Sequence, residues 1–267
     1  MAVDNSVILA GLDPDQLAVV SAINGPVCVI AGAGTGKTRV ITHRIAYAIN
    51  SGVTDPTKVL ALTFTAKAAG EMRARLRGLG IPNATARTFH SAALKQLLYF
   101  WPYAFGGQFP SLLTSKSGFI SQAISRADVA IPASAAALRE ISGEIEWAKV
   151  LEISPENYQE QAVANDRSVK LPNNKGASEN LAMIAQVYEA YESLKKQERG
   201  LDFEDVLLLC VGMLEEDRGV RERVRDQYRY FTVDEYQDVS PLQQRLLNLW
   251  LGNRQEICVV GDAAQTI

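Results

Sequence analysis

Ala31-Gly32-Ala33-Gly34-Thr35-Gly36-Lys37-Thr38 is the stretch on which the fold of this chain turns. Before it runs Val27-Cys28-Val29-Ile30, an apolar segment that reads as a buried strand. After it, Arg39 to Asn50 places Val40, Ile41, Ile45, Ala48 and Ile49 at helical spacing. Strand, glycine-rich loop and helix are the parts a polyphosphate cradle needs. Glycines let the backbone turn tightly, so that successive N–H groups face phosphate oxygens. The helix N-terminus adds a partial positive charge. In this pattern Ala31 to Gly36 surround the phosphates, with Gly32, Ala33, Gly34 and Thr35 in the turn. Lys37 reaches the β- and γ-phosphates of ATP, and the Thr38 hydroxyl sits on Mg²⁺. The first position is Ala31 where the strict motif has Gly, a difference of one methyl group.

Outward from the loop, the N-terminal third alternates strands and helices. Strands are expected at Val27–Ile30, Lys58–Thr65 and Ala86–Phe89. Helices are expected at Asp13–Ala22, Thr38–Asn50, Ala66–Leu79 and Ser91–Phe100. The alternation resumes near the C-terminus with strands at Tyr230–Val233 and Ile257–Val260. Between them lies a helix started by Ser240, Pro241 and Gln243. Apolar strands alternating with helices predict a parallel sheet covered on both faces. From about Trp101 to Gly200 the pattern shows helical stretches, including Ala135–Val150 and Glu179–Arg199, and no strand. The expected organisation is an α/β domain in two segments, 1–100 and 201–267, interrupted by an all-helical insertion at 101–200. The chain closes directly after a strand, at Gln265-Thr266-Ile267, so a fragment of a longer protein is expected.

Composition bounds the function. The 267 residues are 47% hydrophobic and 21% charged, ordinary for a globular protein. A net charge of −3 excludes a bulk-basic nucleic-acid binder but leaves room for a local groove. Lys67, Arg73, Arg75 and Arg77 against the single acid Glu71 form one basic run, equally readable as a solvated helix face. No apolar stretch approaches the ~20 residues of a membrane span. Cys28, Cys210 and Cys258 lie inside apolar runs without a C-x-x-C pair. They read as buried thiols of a reducing compartment, so a cytoplasmic location is expected.

A second chemical feature completes the first. Phe231-Thr232-Val233-Asp234-Glu235 ends an apolar strand in an acidic pair. In an ATPase, Asp234 holds Mg²⁺ and Glu235 orients and deprotonates the attacking water, because phosphoryl transfer relies on positioning and charge stabilisation. The adjacent acids and their long separation from Lys37 argue against a small-molecule kinase.

Six segments now stand in order: Ala31–Thr38, Thr63-Phe64-Thr65-Ala66-Lys67-Ala68-Ala69, Thr88-Phe89-His90-Ser91, Leu201-Asp202-Phe203-Glu204-Asp205, Val233–Asp238 and Val260-Gly261-Asp262-Ala263-Ala264-Gln265. Together the set resembles the leading motifs of the UvrD/PcrA/Rep group of superfamily 1 DNA helicases. Glu144-Ile145-Glu146-Trp147-Ala148-Lys149 is similar to the second UvrD-type paralogue of actinobacteria. The resemblance implies a RecA-like P-loop NTPase domain carrying a helical subdomain. It implies a motor that translocates 3′-to-5′ on single-stranded DNA and unwinds duplex, with a role in DNA repair.

Roles follow at matching positions. Gln16 reads the adenine, Arg39 lies near the nucleotide, and Gln265 senses the γ-phosphate. Phe64 stacks on a base, while Thr63, Thr65, Thr88 and His90 meet the DNA backbone. Ala66 stands where the family often has Asn, which removes one polar DNA contact. A second RecA-like domain of the same protein supplies arginine fingers, so the fragment alone is expected to bind nucleotide weakly and to have little activity. Two other readings stay open: a helicase subunit of a recombination nuclease, and a nucleotide-binding regulatory module without catalysis.

Overall fold

The structure, a computed structural model, describes residues 4–32, 34–173, 175–262 and 264. The chain divides into two compact units. The first comprises residues 1–100, 210–239 and 243–267. It opens with two short helices, α1 (Asn5–Leu9) and α2 (Pro14–Ser21), followed by β1 (Val27–Ile30), α3 (Lys37–Asn50), β2 (Val59–Thr63), α4 (Ala66–Gly78), β3 (Thr85–Thr88) and the start of α5 (Phe89–Ala104).

Five parallel strands form one sheet in the order β1, β7 (Ile257–Gly261), β6 (Tyr230–Val233), β2, β3. The order places β6, the strand that ends in the acidic pair, in the middle. Its four residues are all buried, as are the five of β2. Continuous apolar runs suit strands covered on both faces. On one face Ile41, Ile45 and Ala48 of α3 and Met72 and Leu76 of α4 pack with Val59, Ala61, Tyr230 and Cys258.

β1 departs from the expectation of a buried strand. It lies at the sheet edge and alternates, leaving Cys28 exposed and Ile30 74% exposed. An edge strand has a neighbour on one side only, so its apolar composition does not guarantee cover. Cys28 is therefore not the buried thiol its apolar run suggested, whereas Cys210 and Cys258 are buried.

Register sets the functional edge. Ile30 pairs with Gly261, Leu62 with Val233 and Thr63 with Thr88. The strands thus finish together, and the phosphate loop, Asp234, Phe64 and Asp262 all follow carboxyl ends on one edge of the sheet. Open α/β sheets bind their ligands along that edge. The third strand ends at Thr88 and not at Phe89. Thr88 and Ser91 exchange backbone–side-chain hydrogen bonds of 3.1 Å in both directions, and this reciprocal cap starts α5 early and gives Phe89 to the helix.

The second unit comprises residues 101–209 and 240–242. Its helices α6 (Lys116–Ala127), α7 (Ala135–Val150), α8 (Pro155–Ala164) and α9 (Ala177–Glu198) enclose a core that includes Ile120, Ile141, Ile145, Tyr158, Ile184 and Tyr191. The expectation of an all-helical insertion needs one correction. A parallel pair, β4 (Ser111–Leu112) and β5 (Gly200–Leu201), joins its two ends. Two-residue strands carry no periodicity for a sequence to show. Gly200 permits the approach, since a Cβ there would lie 2.9 Å from the Leu113 side chain.

Beneath β5 lies a buried ionic cluster. Lys149 Nζ donates to both Asp202 oxygens at 2.8 Å and to Asp205. Lys195 Nζ donates to Asp202 at 3.0 Å and to Asp205 at 2.6 Å, and the Tyr191 hydroxyl donates to Asp202 at 2.9 Å. Glu192 reaches both ammonium groups. Asp202 and Asp205 in turn accept from each other's backbone N–H. Asp202 and Asp205 of the Leu201–Asp205 motif are thereby structural partners of two buried lysines, while its third acid, Glu204, pairs with Lys116 at 2.5 Å.

The chain returns through α10 (Phe203–Glu216), α11 (Arg218–Gln227), β6, a 3₁₀ turn at Tyr236–Asp238, α12 (Pro241–Leu251) and β7. Among the described residues no helix is long and apolar enough to cross a membrane.

Candidate nucleotide and nucleic-acid site

The loop between β1 and α3 bends through two glycines in the left-handed region, Gly34 at φ +79° and Gly36 at φ +86°. Gly36 is the residue that any side chain would strain, since a Cβ there would also meet the Gln16 amide at 3.3 Å. Thr35 Oγ1 donates to the Gly32 carbonyl at 2.8 Å and Ala31 N–H to Gly261 at 3.0 Å, so the loop is tied to itself and to β7. Lys37 begins α3 and is 9% exposed.

The two halves of the site meet. Lys37 Nζ lies 3.0 Å from Glu235 Oε2, and the Thr38 hydroxyl donates to Asp234 Oδ2 at 3.4 Å. Residues at opposite ends of the chain are brought together because β1 and β6 flank β7 in one parallel sheet. Asp234 is buried, and burial first, then the neighbouring Glu235 charge, pushes its carboxyl above the ordinary range. Glu235 goes the other way. Burial alone would raise it, but hydrogen bonds from Gln237 and Lys37 and the Lys37 charge outweigh that and hold it below the usual value. Glu235 also adopts φ +51°, a left-handed backbone that a Glu rarely takes.

Gln16 does more than an exposed helix residue would. Asp13 and Gln16 form a reciprocal cap at the start of α2, and the Gln16 amide also donates to the Thr35 carbonyl at 3.2 Å. Asp13, Gln16, Val19, Val29, Ile30, Gly32, Lys37 and Val40 line a cavity of about 620 Å³. Its lining joins apolar side chains, exposed Ile30 among them, with a few polar groups, the make-up of a small-ligand cavity. Arg39 donates to the Gly11 carbonyl at 2.9 Å, bracing the turn between α1 and α2 against the loop.

Arg75 is the side chain the sequence concealed. Within the basic run it reads as solvated helix, yet it lines a second cavity of about 360 Å³ with Gly34, Gly36, Lys37, Thr38, Arg39 and Glu235. The packing of α4 on α3 aims it there. An Arg75→Ala variant is expected to bind a nucleoside triphosphate about tenfold more weakly, with a smaller loss for the monophosphate and less effect at high salt. Titration with a fluorescent nucleotide measures this, and equal affinities would make Arg75 an ordinary surface residue.

The residues assigned to DNA occupy the same sheet edge with unequal access. Phe64 is half-buried, its ring centroid 6.3 Å from that of Phe89. Thr65 is exposed, and its hydroxyl caps α4 by accepting from Ala68 N–H at 3.0 Å. Thr88 is engaged with Ser91, and His90 is half-buried in the first turn of α5. Thr63 is only 2% exposed, because β2 is covered on both faces, which leaves no surface for a side-chain contact there. Ala33 and Gln265 lie outside the described residues.

Comparison with known proteins supplies the lineage. The family described as UvrD/REP helicase N-terminal domain matches residues 12–267. The chain is 47% identical over its whole length to the ATP-dependent DNA helicase UvrD2 of Mycobacterium tuberculosis, covering 38% of that protein. It is 33% identical to the ATP-dependent DNA helicase PcrA of Leuconostoc citreum, with 96% of this chain and 33% of that protein covered. To the PcrA of Bacillus subtilis it is 31% identical, with 97% and 34% covered. The chain thus spans about a third of the length of these relatives. A phosphate loop facing an acidic pair across a parallel sheet, and a family match over nearly every residue, lead to one conclusion: this chain belongs to the UvrD/REP helicase family and corresponds to its N-terminal domain.

Proposed function

We propose that this chain is the N-terminal motor domain of an ATP-dependent DNA helicase, binding ATP and single-stranded DNA on one edge of a RecA-like sheet. The observation that carries the reading is the convergence of Lys37 with Glu235 and of Thr38 with Asp234, at 3.0 and 3.4 Å, on the edge where Phe64 also emerges. In this reading residues 1–100 and 201–267 form the ATP-binding domain and residues 101–200 the inserted subdomain.

The donor set suits Mg²⁺. A hydroxyl and a buried carboxylate are hard oxygen ligands, and the ion takes one or two such groups besides water and phosphate oxygens. Thr38 and Asp234 would hold it, and when bound it neutralises charge on the phosphates. The protein's own groups do the rest. Gln16 and the Val19/Ile30 wall hold the adenine, with Arg39 beside the nucleotide. Lys37 and Arg75 meet the phosphates. Glu235 orients the attacking water and takes its proton, and Gln265 senses the γ-phosphate. The greater length of the relatives supports a second RecA-like domain that closes the cleft with arginine fingers, worth roughly 10³–10⁵ in rate in other NTPases. Translocation 3′-to-5′, duplex unwinding and work in DNA repair complete the reading, with weak nucleotide binding and little turnover when this domain stands alone.

Phe64→Ala tests the DNA half. Stacking on an aromatic contributes about 1–3 kcal/mol per base, so affinity for an oligo-dT is expected to fall about 5- to 150-fold. ATP affinity without DNA should not change. Fluorescence anisotropy reads the first and nucleotide titration the second. Undiminished oligonucleotide binding would remove Phe64 from the DNA track.

A further inference from the structure

We propose that Gln237 is a positioning residue for hydrolysis: one end of its side-chain amide holds the Glu235 carboxylate while the other grips the backbone at Asp262, so the end of β7 sets the aim of the water-activating base. The inference rests on the ATPase reading of the Lys37/Asp234/Glu235 site.

Gln237 lies in the 3₁₀ turn after the acidic pair. Its Nε2 donates to Glu235 Oε2 at 2.9 Å, and Asp262 N–H donates to its Oε1 at 3.1 Å. Nε2 also reaches Asp238 Oδ2 at 3.3 Å. The assignment of oxygen and nitrogen follows from chemistry, since the flipped amide would set its oxygen against a carboxylate and its NH₂ against an N–H. A terminal amide is the group that donates and accepts from one end. Glutamate would keep the acceptor and lose the donor.

Two further facts mark the contact as built in. A Cβ at Gly261 would come within 3.0 Å of Gln237 Oε1 and 3.5 Å of its backbone nitrogen, so glycine there lets the turn lie directly on the strand end. Glu235, two residues before Gln237, has a left-handed backbone, and such conformations persist where surroundings over-determine them. Among the described residues two donors meet Glu235 Oε2, Lys37 and Gln237. Lys37 is the residue that phosphates recruit, so Gln237 is the partner that does not compete with the nucleotide. Asp262 belongs to the Val260–Gln265 segment of the sequence, so the amide ties the base to the described start of that segment at the end of β7.

The test uses Gln237→Glu and Gln237→Met in the full-length protein. Both are expected to lower kcat for DNA-stimulated ATP hydrolysis about 10- to 100-fold, the scale of a misplaced reacting group. KM should stay within about twofold, since the interaction is made with the base and not with the substrate. Hydrogen exchange without nucleotide or metal separates the two ends of the amide. The Asp262 amide should exchange faster in Gln237→Met, which lacks the acceptor, and retain protection in Gln237→Glu. A kcat within threefold of the parent in either variant overturns the assignment, as does Asp262 exchange unchanged in Gln237→Met. Glu235→Gln is the control: if it hydrolyses ATP at the parent rate, the site reading itself fails, whereas an inactive Glu235→Gln beside a fully active Gln237→Met sinks only the role of Gln237.

Discussion

Lys37→Ala is expected to lower turnover about 10²- to 10³-fold, the usual cost of removing one preorganised donor from a site of developing negative charge, and to weaken triphosphate binding in parallel. Lys37 is 9% exposed, so its ammonium acts where water screens it poorly. Folding should survive the change. The partner left behind is Glu235, whose side chain is 38% exposed and can be solvated by water once the ammonium is gone. A melting temperature close to the parent's, with nucleotide titration and hydrolysis both depressed, is the expected set. Lys37→Arg should not rescue, because a planar fork does not replace a compact ammonium in a loop closed by Gly34 and Gly36. Nucleotide affinity unchanged in Lys37→Ala would remove the proposed site.

The largest effect on stability is expected from Asp202→Asn. Asp202 is 1% exposed and shared by Lys149, Lys195 and the Tyr191 hydroxyl. Breaking a buried ionic cluster on one side leaves charges unmatched and costs about 3–5 kcal/mol. Urea unfolding, read by hydrogen exchange in α7 and α9, measures the loss, and a change below about 1 kcal/mol would make the cluster incidental. Acid should act in the same direction. Burial alone would raise the Asp202 carboxyl, but the charges of Lys149 and Lys195 outweigh it and hold the group well below the usual carboxylate range. A carboxyl lowered by folding contributes stability above its unfolded value of about 3.9 and loses it as pH falls below that toward the folded value. The parent should therefore lose stability more steeply than Asp202→Asn on acidification from about pH 4.

What the sequence disclosed and what it hid divide along physical lines. β6 and β2 were legible because continuous apolar runs suit central parallel strands, and α7 was legible because its periodicity runs unbroken from Ala135 to Val150. The phosphate loop announced itself through glycines that its turn requires. The same apolar rule failed at β1, where composition does not tell an edge from a centre and left Cys28 and Ile30 uncovered. Arg75 was hidden because helical spacing tells which side of α4 is wet but not that the wet side borders the phosphate loop. Gln237 was hidden because its meaning lies in a contact with residue 262, which no local pattern records. The β4–β5 pair was hidden because a strand of two residues has no period.

The aromatic at the end of β2 has one more consequence. Phe64 is backed by Phe89, which is 1% exposed and stacks in turn on buried Trp250 at 6.1 Å. The 6.3 Å between the first two rings, tilted by 52°, is too short and too oblique to admit a base between them. Phe64 can serve as a shelf but not as a clamp. In the proposed DNA reading, a base stacked on Phe64 would lie on the ring's outer face, with Phe89 behind the ring and not above the base.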